Sequence, residues 1–311
     1  MTTPDLTSYD WIVISSSAGK DSQAMLDYVF GLAEAAGVLD RVVVVHADLG
    51  RVEWMKTREL AERQAARYSA RFEVVKNLTD LLWRIATRGK WPSATERYCT
   101  SDFKRGPIRT LHTRLAREWK ARGGKGACRI LDCMGLRAQE STAREKCNVC
   151  KDREVPSKGR VSKRWVSRST CTTCRGTGKR NPLVALPEAS SRNKEVWEWL
   201  PVHAWKLEEV WARIKASRTH DLAHPAYALG MPRLSCVFCI FAPQPALILA
   251  GKHNPELLAE YVRVEQKIGH TFTKRKPTAN NPWRGSIAEI KEAVDAGETV
   301  DPTTMNDAWN M

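Results

Sequence analysis

Short strands alternating with amphipathic helices fill the first half of the chain, and that order admits few folds. Trp11–Ser15 is a short, largely apolar run. A Ser/Gly loop follows, then Asp21–Ala36, with Met25, Val29, Leu32 and Ala36 at helical spacing. Arg41–His46 reads as a valine-rich strand, Glu53–Tyr68 as a helix, Arg71–Val75 as a strand and Leu78–Thr87 as a helix. Ile108–Ala121 is a basic helix and Arg129–Gly135 a further strand. Strand, crossover helix and parallel strand predict an α/β fold, a parallel twisted sheet with helices on both faces. No apolar run nears the ~20 residues that span a bilayer. The polar amino terminus, Met1–Asp10, is not a secretory signal. A soluble cytoplasmic protein with no membrane partner is expected.

Residues 145–181 interrupt this pattern: they hold four cysteines, much charge and almost no aliphatic side chains. The expected organisation is an α/β domain over 1–144 plus 182–245, a small insert over 145–181, and a helical extension over 246–311. Leu207–Ser217, Pro255–Ile268 and Ile287–Ala296 have helical periodicity, and the tail from Thr299 has none.

Charge and cysteine are unevenly spread. The net charge is +15, but residues 84–129 carry 13 basic and 3 acidic side chains, and residues 144–180 carry 12 and 3. Two basic segments suit a polyanionic partner, and equally a solvated basic face. The nine cysteines are not expected as disulfides in an intracellular chain, and six form three Cys-x-x-Cys pairs. Cys147, Cys150, Cys171 and Cys174 have the spacing of a four-cysteine zinc ribbon, whose Zn²⁺ would supply the folding energy the insert lacks.

Ser15-Ser16-Ser17-Ala18-Gly19-Lys20-Asp21-Ser22 joins the first strand to the first helix. Small residues let backbone N–H groups approach a phosphate, the helix amino terminus adds a favourable dipole, and Lys20 adds charge. It is not a Walker A loop.

This loop resembles the pyrophosphate-binding loop of the ATP pyrophosphatases, with Ala18 replacing a glycine. Four further stretches resemble the phosphoadenosine phosphosulfate (PAPS) reductase branch of that adenine nucleotide alpha hydrolase-like superfamily. They are His46-Ala47-Asp48-Leu49-Gly50 with Glu53 and Thr57; Cys99-Thr100 with Lys104 and Pro107; Gly135-x-Arg137-x-x-Glu140-Ser141-x-x-Arg144; and His224-Pro225-x-Tyr227 with Gly230-x-x-Arg233-x-x-Cys236-x-x-Cys239. The resemblance implies that Ser15, Ser16, Ser17, Gly19, Lys20, Asp21, Ser22, Asp48, Gly135, Arg137, Glu140 and Arg144 bind ATP. Lys20, Asp21, Asp48 and Arg137 would be catalytic, with Asp21 or Asp48 holding Mg²⁺. From the residues alone, Arg137 and Glu140 equally fit a simple ion pair.

Within the family, sulfonucleotide reductases attack sulfur with a cysteine on a carboxyl-terminal tail, and no cysteine follows Cys239 here. The retained Lys20 and Asp21 resemble instead the relatives that adenylate an acceptor for sulfur insertion, such as the DNA phosphorothioation pyrophosphatases and tRNA thiolases. Such a protein would act on DNA or tRNA with a cysteine desulfurase or another sulfur donor as partner. A reductase and a non-catalytic nucleotide-binding regulator are the alternatives. The resemblance further implies an iron–sulfur site at Cys99, Cys236 and Cys239, a [4Fe-4S] cluster with one iron open to hydrosulfide. A second zinc site or three plain thiols stand beside it. Cys128 and Cys133 fall in or beside a strand and are poor fourth ligands.

Overall fold

A computed structural model describes residues 3–146, 150–151, 166–167, 179–273 and 283–301. The elements are, in order, β1 Trp11–Ser15, α1 Lys20–Ala35, β2 Val42–Asp48, α2 Thr57–Ala66, β3 Arg71–Lys76 and α3 Leu81–Arg88. Then come the single turn α4 Tyr98–Thr100, α5 Gly106–Ala121, β4 Cys128–Met134 and the short α6 Thr142–Glu145. Two-residue strands β5 Cys150–Lys151 and β6 Val166–Ser167 pair in parallel. The chain ends with β7 Leu183–Ala185, β8 Lys194–Trp199, α7 Leu207–Ala216, α8 Gln244–His253, α9 Pro255–Ile268 and α10 Ile287–Asp295. No helix among the described residues is long and apolar enough to cross a membrane.

Six strands form one sheet in the order β3-β2-β1-β4-β8-β7, all parallel except the edge pair β7–β8. Its centre is buried on both faces, which is why β1 and β2 read as apolar runs rather than alternating ones. Ile12, Ile14, Val42, Val44, Leu131 and Cys133 pack with Met25, Leu26, Val29 and Phe30 of α1 on one face. Trp11, Val13, Val43, Val45, Cys128 and Ile130 pack with Leu111 and Leu115 of α5 on the other. The parallel α/β expectation therefore holds. Cys128 and Cys133 are fully buried on opposite faces of β4, where neither can reach a surface cluster.

A second core joins Leu81, Leu82 and Ile85 of α3 to Trp91, Phe238, Tyr261, Phe272 and the apolar faces of α8, α9 and α10. The tract between α3 and α5 includes a π-helical turn, Ser101–Arg105, a rare form frequent at functional sites. The ends of the 145–181 insert meet, since Lys146 bridges Lys179 and Arg180 N–H donates to Glu145 O at 2.8 Å. Cys147, Cys171 and Cys174 lie outside the described residues, as does the side chain of Cys150, and with them the zinc-ribbon expectation.

Candidate active site

Chain order runs outward from β1 to β2 and β3, then returns to place β4 on β1's other side. In open parallel sheets the crevice beyond the carboxyl ends of such strands is where ligands bind. Here the carboxyl ends of β1, β2 and β4 present Ser16–Ser22, Asp48–Glu53 and Gly135–Arg144.

The first loop is tightly made. Ser17 N–H donates to Ser22 Oγ at 3.2 Å, Ala18 N–H to Ser16 Oγ at 3.3 Å, and Ser22 Oγ donates to Gly19 O at 2.9 Å. Ala18, where the resembled motif has glycine, adopts φ +57° and is wholly buried. An L-residue there costs roughly 1–2 kcal/mol, a strain held by its surroundings. Gly135 allows a close approach: a Cβ would stand 3.1 Å from the backbone of Asp21 and Ser22, tighter than side chains usually come. The α1 amino terminus is thereby clamped against the end of β4. Ser15 does not join the loop's cradle, because its hydroxyl turns to Asp132 Oδ1 at 3.4 Å. Burial, then Glu198, pushes the Asp132 carboxyl up to about 7.

Charge is concentrated at the crevice. Lys20 is 3 % exposed; its Nζ donates to Pro232 O at 2.9 Å and lies 3.6 Å from Asp21 Oδ2. Arg137 is not the partner of Glu140 that local spacing allowed. Its Nε instead donates to Asp21 Oδ1, and Nη1 donates to Gln139 Oε1 at 2.6 Å. Glu140 takes the guanidinium groups of Arg144 and Arg233, and its Oε2 accepts from Arg137 N–H at 2.9 Å. Four cations thus converge on two carboxylates. Burial lowers Lys20 and Arg233 and pushes Arg144 down to about 9, and the neighbouring cations add to it. Asp21, carrying Lys20 and Arg137, is poorly placed as a magnesium ligand. Asp48, whose Oδ1 accepts Gly50 N–H at 2.7 Å, is the better candidate of the two.

Tyr227 and Arg233 were visible only as motif letters. Tyr227 Oη accepts Lys20 N–H at 2.8 Å, and Lys20 Nζ lies 5.3 Å from its ring centre. His224, in the same motif, accepts Ala226 N–H on Nδ1 and contacts Thr57 Oγ1 through Nε2, which fixes a neutral imidazole. Burial pushes it down to about 4. The unfolded chain, with His near 6.5, therefore takes up the proton first. This contribution to stability is whole above about pH 6.5 and falls towards pH 4, with a slope approaching about 1.4 kcal/mol per pH unit. Urea midpoints at pH 7.5, 5.5 and 4.5 should drop in the native chain and drop less in His224→Gln.

Cys99, from α4, faces Cys236 and Cys239 at the edge of the second core. All three are free thiols, within electrostatic reach of one another and of Lys104, and Cys239 also of Arg233. Burial pushes Cys236 up to about 12 and Cys239 upward. The three half-buried thiols, beside Lys104 and Arg233, are candidate ligands for a metal group. Tyr98 is committed to the core, donating from Oη to Lys90 O at 2.7 Å.

The basic stretch 84–129 is less open than its composition implies. Arg88, Lys90, Arg109, Arg114, Arg122 and Arg129 all have carboxylate partners.

A family model described as the phosphoadenosine phosphosulfate reductase domain matches residues 11–242. No curated protein matches the sequence. Among solved structures, the chain is similar to phosphoadenylyl-sulfate (PAPS) reductase from Candida auris in a phosphate complex. That match has 16% identity and a TM-score of 0.37, covering 74% of this chain and 83% of the other. It is also similar to the FMN adenylyltransferase of Candida glabrata in complex with FAD and inorganic pyrophosphate. Here identity is 10% and TM-score 0.38, covering 96% of this chain and 80% of the other.

Proposed function

The chain belongs to the phosphoadenosine phosphosulfate reductase domain family, and from that premise we propose that it is an ATP pyrophosphatase that adenylates a nucleic-acid acceptor for sulfur transfer. The buried side chains of Lys20 and Arg137, two cations sharing the single carboxylate of Asp21 at the α1 amino terminus, carry this reading. A polyphosphate would bring further negative charge to them. Loop N–H groups and Lys20 would hold the β- and γ-phosphates at the α1 amino terminus. An acceptor oxygen then attacks the α-phosphorus, the bond to the bridging oxygen breaks, and pyrophosphate leaves with its electrons. Charge grows on the leaving group in that step, and fixed donors that need no reorganisation stabilise it most. Asp48 is the residue to hold Mg²⁺, which would neutralise phosphate charge. Cys99, Cys236 and Cys239 would hold an iron–sulfur cluster, which would supply a soft site for sulfide.

The family match equally supports a sulfonucleotide reductase. That reaction needs a thiolate nucleophile, and Cys236, held up near 12, is a poor one without a metal. Mass spectrometry of DNA and RNA nucleosides from cells with and without the protein separates the readings. The proposal expects one sulfur-bearing nucleoside or linkage to disappear with the protein. Unchanged nucleosides, with thiol-dependent sulfite release from PAPS, would establish the reductase instead.

A further inference from the structure

The turn that follows β2 assembles three ligand groups, Asp48, the magnesium candidate, among them. His46, Asp48 and Glu53 offer one ring nitrogen and two carboxylate oxygens, all within 4.8 Å of one another. No other such group of three occurs among the described residues. We propose that these residues form a binding site for a divalent first-row transition ion, held by the protein independently of any nucleotide.

The imidazole is oriented as a ligand. His46 is 1 % exposed, and its Nδ1 lies 3.0 Å from the carbonyl oxygen of Ser16. A carbonyl only accepts, so Nδ1 donates to Ser16, and Nε2 is left to Glu53 Oε2, 3.1 Å away, with which it pairs when the ring is protonated. Fixing one ring nitrogen on a backbone carbonyl is how metal-bound histidines are generally aimed. A divalent ion would take the place of the Nε2 proton between the ring and Glu53.

The carboxylates are anchored as well. Asp48 Oδ1 accepts Gly50 N–H at 2.7 Å, and Glu53 Oε2 accepts Leu49 N–H at 3.4 Å. Gly50, at φ +66°, makes the turn that returns Glu53 to the end of β2. The Glu53 backbone is pinned in turn by a bridge to Cys236. Each carboxylate keeps lone pairs for an ion.

One nitrogen with two oxygens selects manganese, iron(II) or zinc over calcium and magnesium, which prefer oxygen alone, and over soft ions that seek sulfur. The ion's neighbours give it a consequence. Ser16 belongs to the phosphate loop and Cys236 to the thiol group, so the ion would tie the two together through His46 and Glu53.

Mn²⁺ is the probe, because it is hard and leaves thiolate sites largely alone. Titration of the full-length, nucleotide-free protein, followed by the EPR signal of free Mn²⁺, should show one ion bound per chain and displaced by Zn²⁺. Glu53→Gln and His46→Gln should each weaken binding at least about 10-fold. Asp21→Asn should bind as the native chain does, which separates this ion from one held at the phosphate loop. His46 is buried and its variant can fail to fold; Glu53→Gln is nearly isosteric and partly exposed, so it decides. Native protein that binds no more Mn²⁺ than Glu53→Gln, or binding lost in Asp21→Asn but kept in Glu53→Gln, overturns the proposal.

Discussion

Lys20→Ala is expected to lower pyrophosphate release from ATP by about 10²- to 10³-fold, the loss seen when one fixed donor to developing charge is removed. Lys20 is 3 % exposed at the first turn of α1, held by Pro232 O and lying over the Tyr227 ring. Its ammonium is therefore aimed at the crevice before any ligand arrives. Folding should survive the change. The side chain is surrounded by other cations, and burial already lowers its affinity for a proton. Asp21 would keep Arg137 as its partner. A melting temperature within a few degrees of the native value, alongside the lost activity, is the expected pair of results. Full pyrophosphate release in the variant would remove Lys20 from the chemistry.

The second large effect concerns iron. Protein purified without oxygen should be brown, and Cys236→Ala should lose most of its iron and its broad visible absorbance. Cys236 is central because it lies within reach of both Cys99 and Cys239, and with it gone only two thiols remain for a group that takes three or four. Cys128→Ala is the control: that thiol is enclosed between β4 and α5, so the variant should lose stability but keep its iron. A colourless native preparation containing two zinc ions per chain would contradict the cluster.

The legible parts of the fold were those whose pattern reflects burial. β1, flanked by a serine-rich loop, was placed to the residue, as was α9, which has an apolar stripe and a Gly269 stop. β8 was missed because its buried positions include charge: Lys194 donates to Thr113, and Glu198 pairs with Arg180. α8 was missed for the opposite reason. Its Ala246–Ala250 run is apolar nearly all round and has no period to detect. α2 begins at Thr57 rather than Glu53, since Gly50 and Lys56 both take positive φ and keep the preceding turn out of the helix.

In the site, sequence order carried the loop and the cations but not their pairing. Local spacing offered Arg137 to Glu140, whereas the fold sends it to Asp21, 116 residues earlier, and brings Arg233 to Glu140. Pairings between distant segments leave no local trace. The same holds for His46 and Glu53, which only the Gly50 turn brings together.

Identifying the products of ATP turnover tests the central claim most directly. With ATP labelled at the α-phosphate and a nucleic-acid acceptor present, the account predicts labelled AMP or an adenylated acceptor, with one pyrophosphate for each ATP consumed. Labelled ADP with orthophosphate, or no turnover under any acceptor while PAPS yields sulfite, would contradict it.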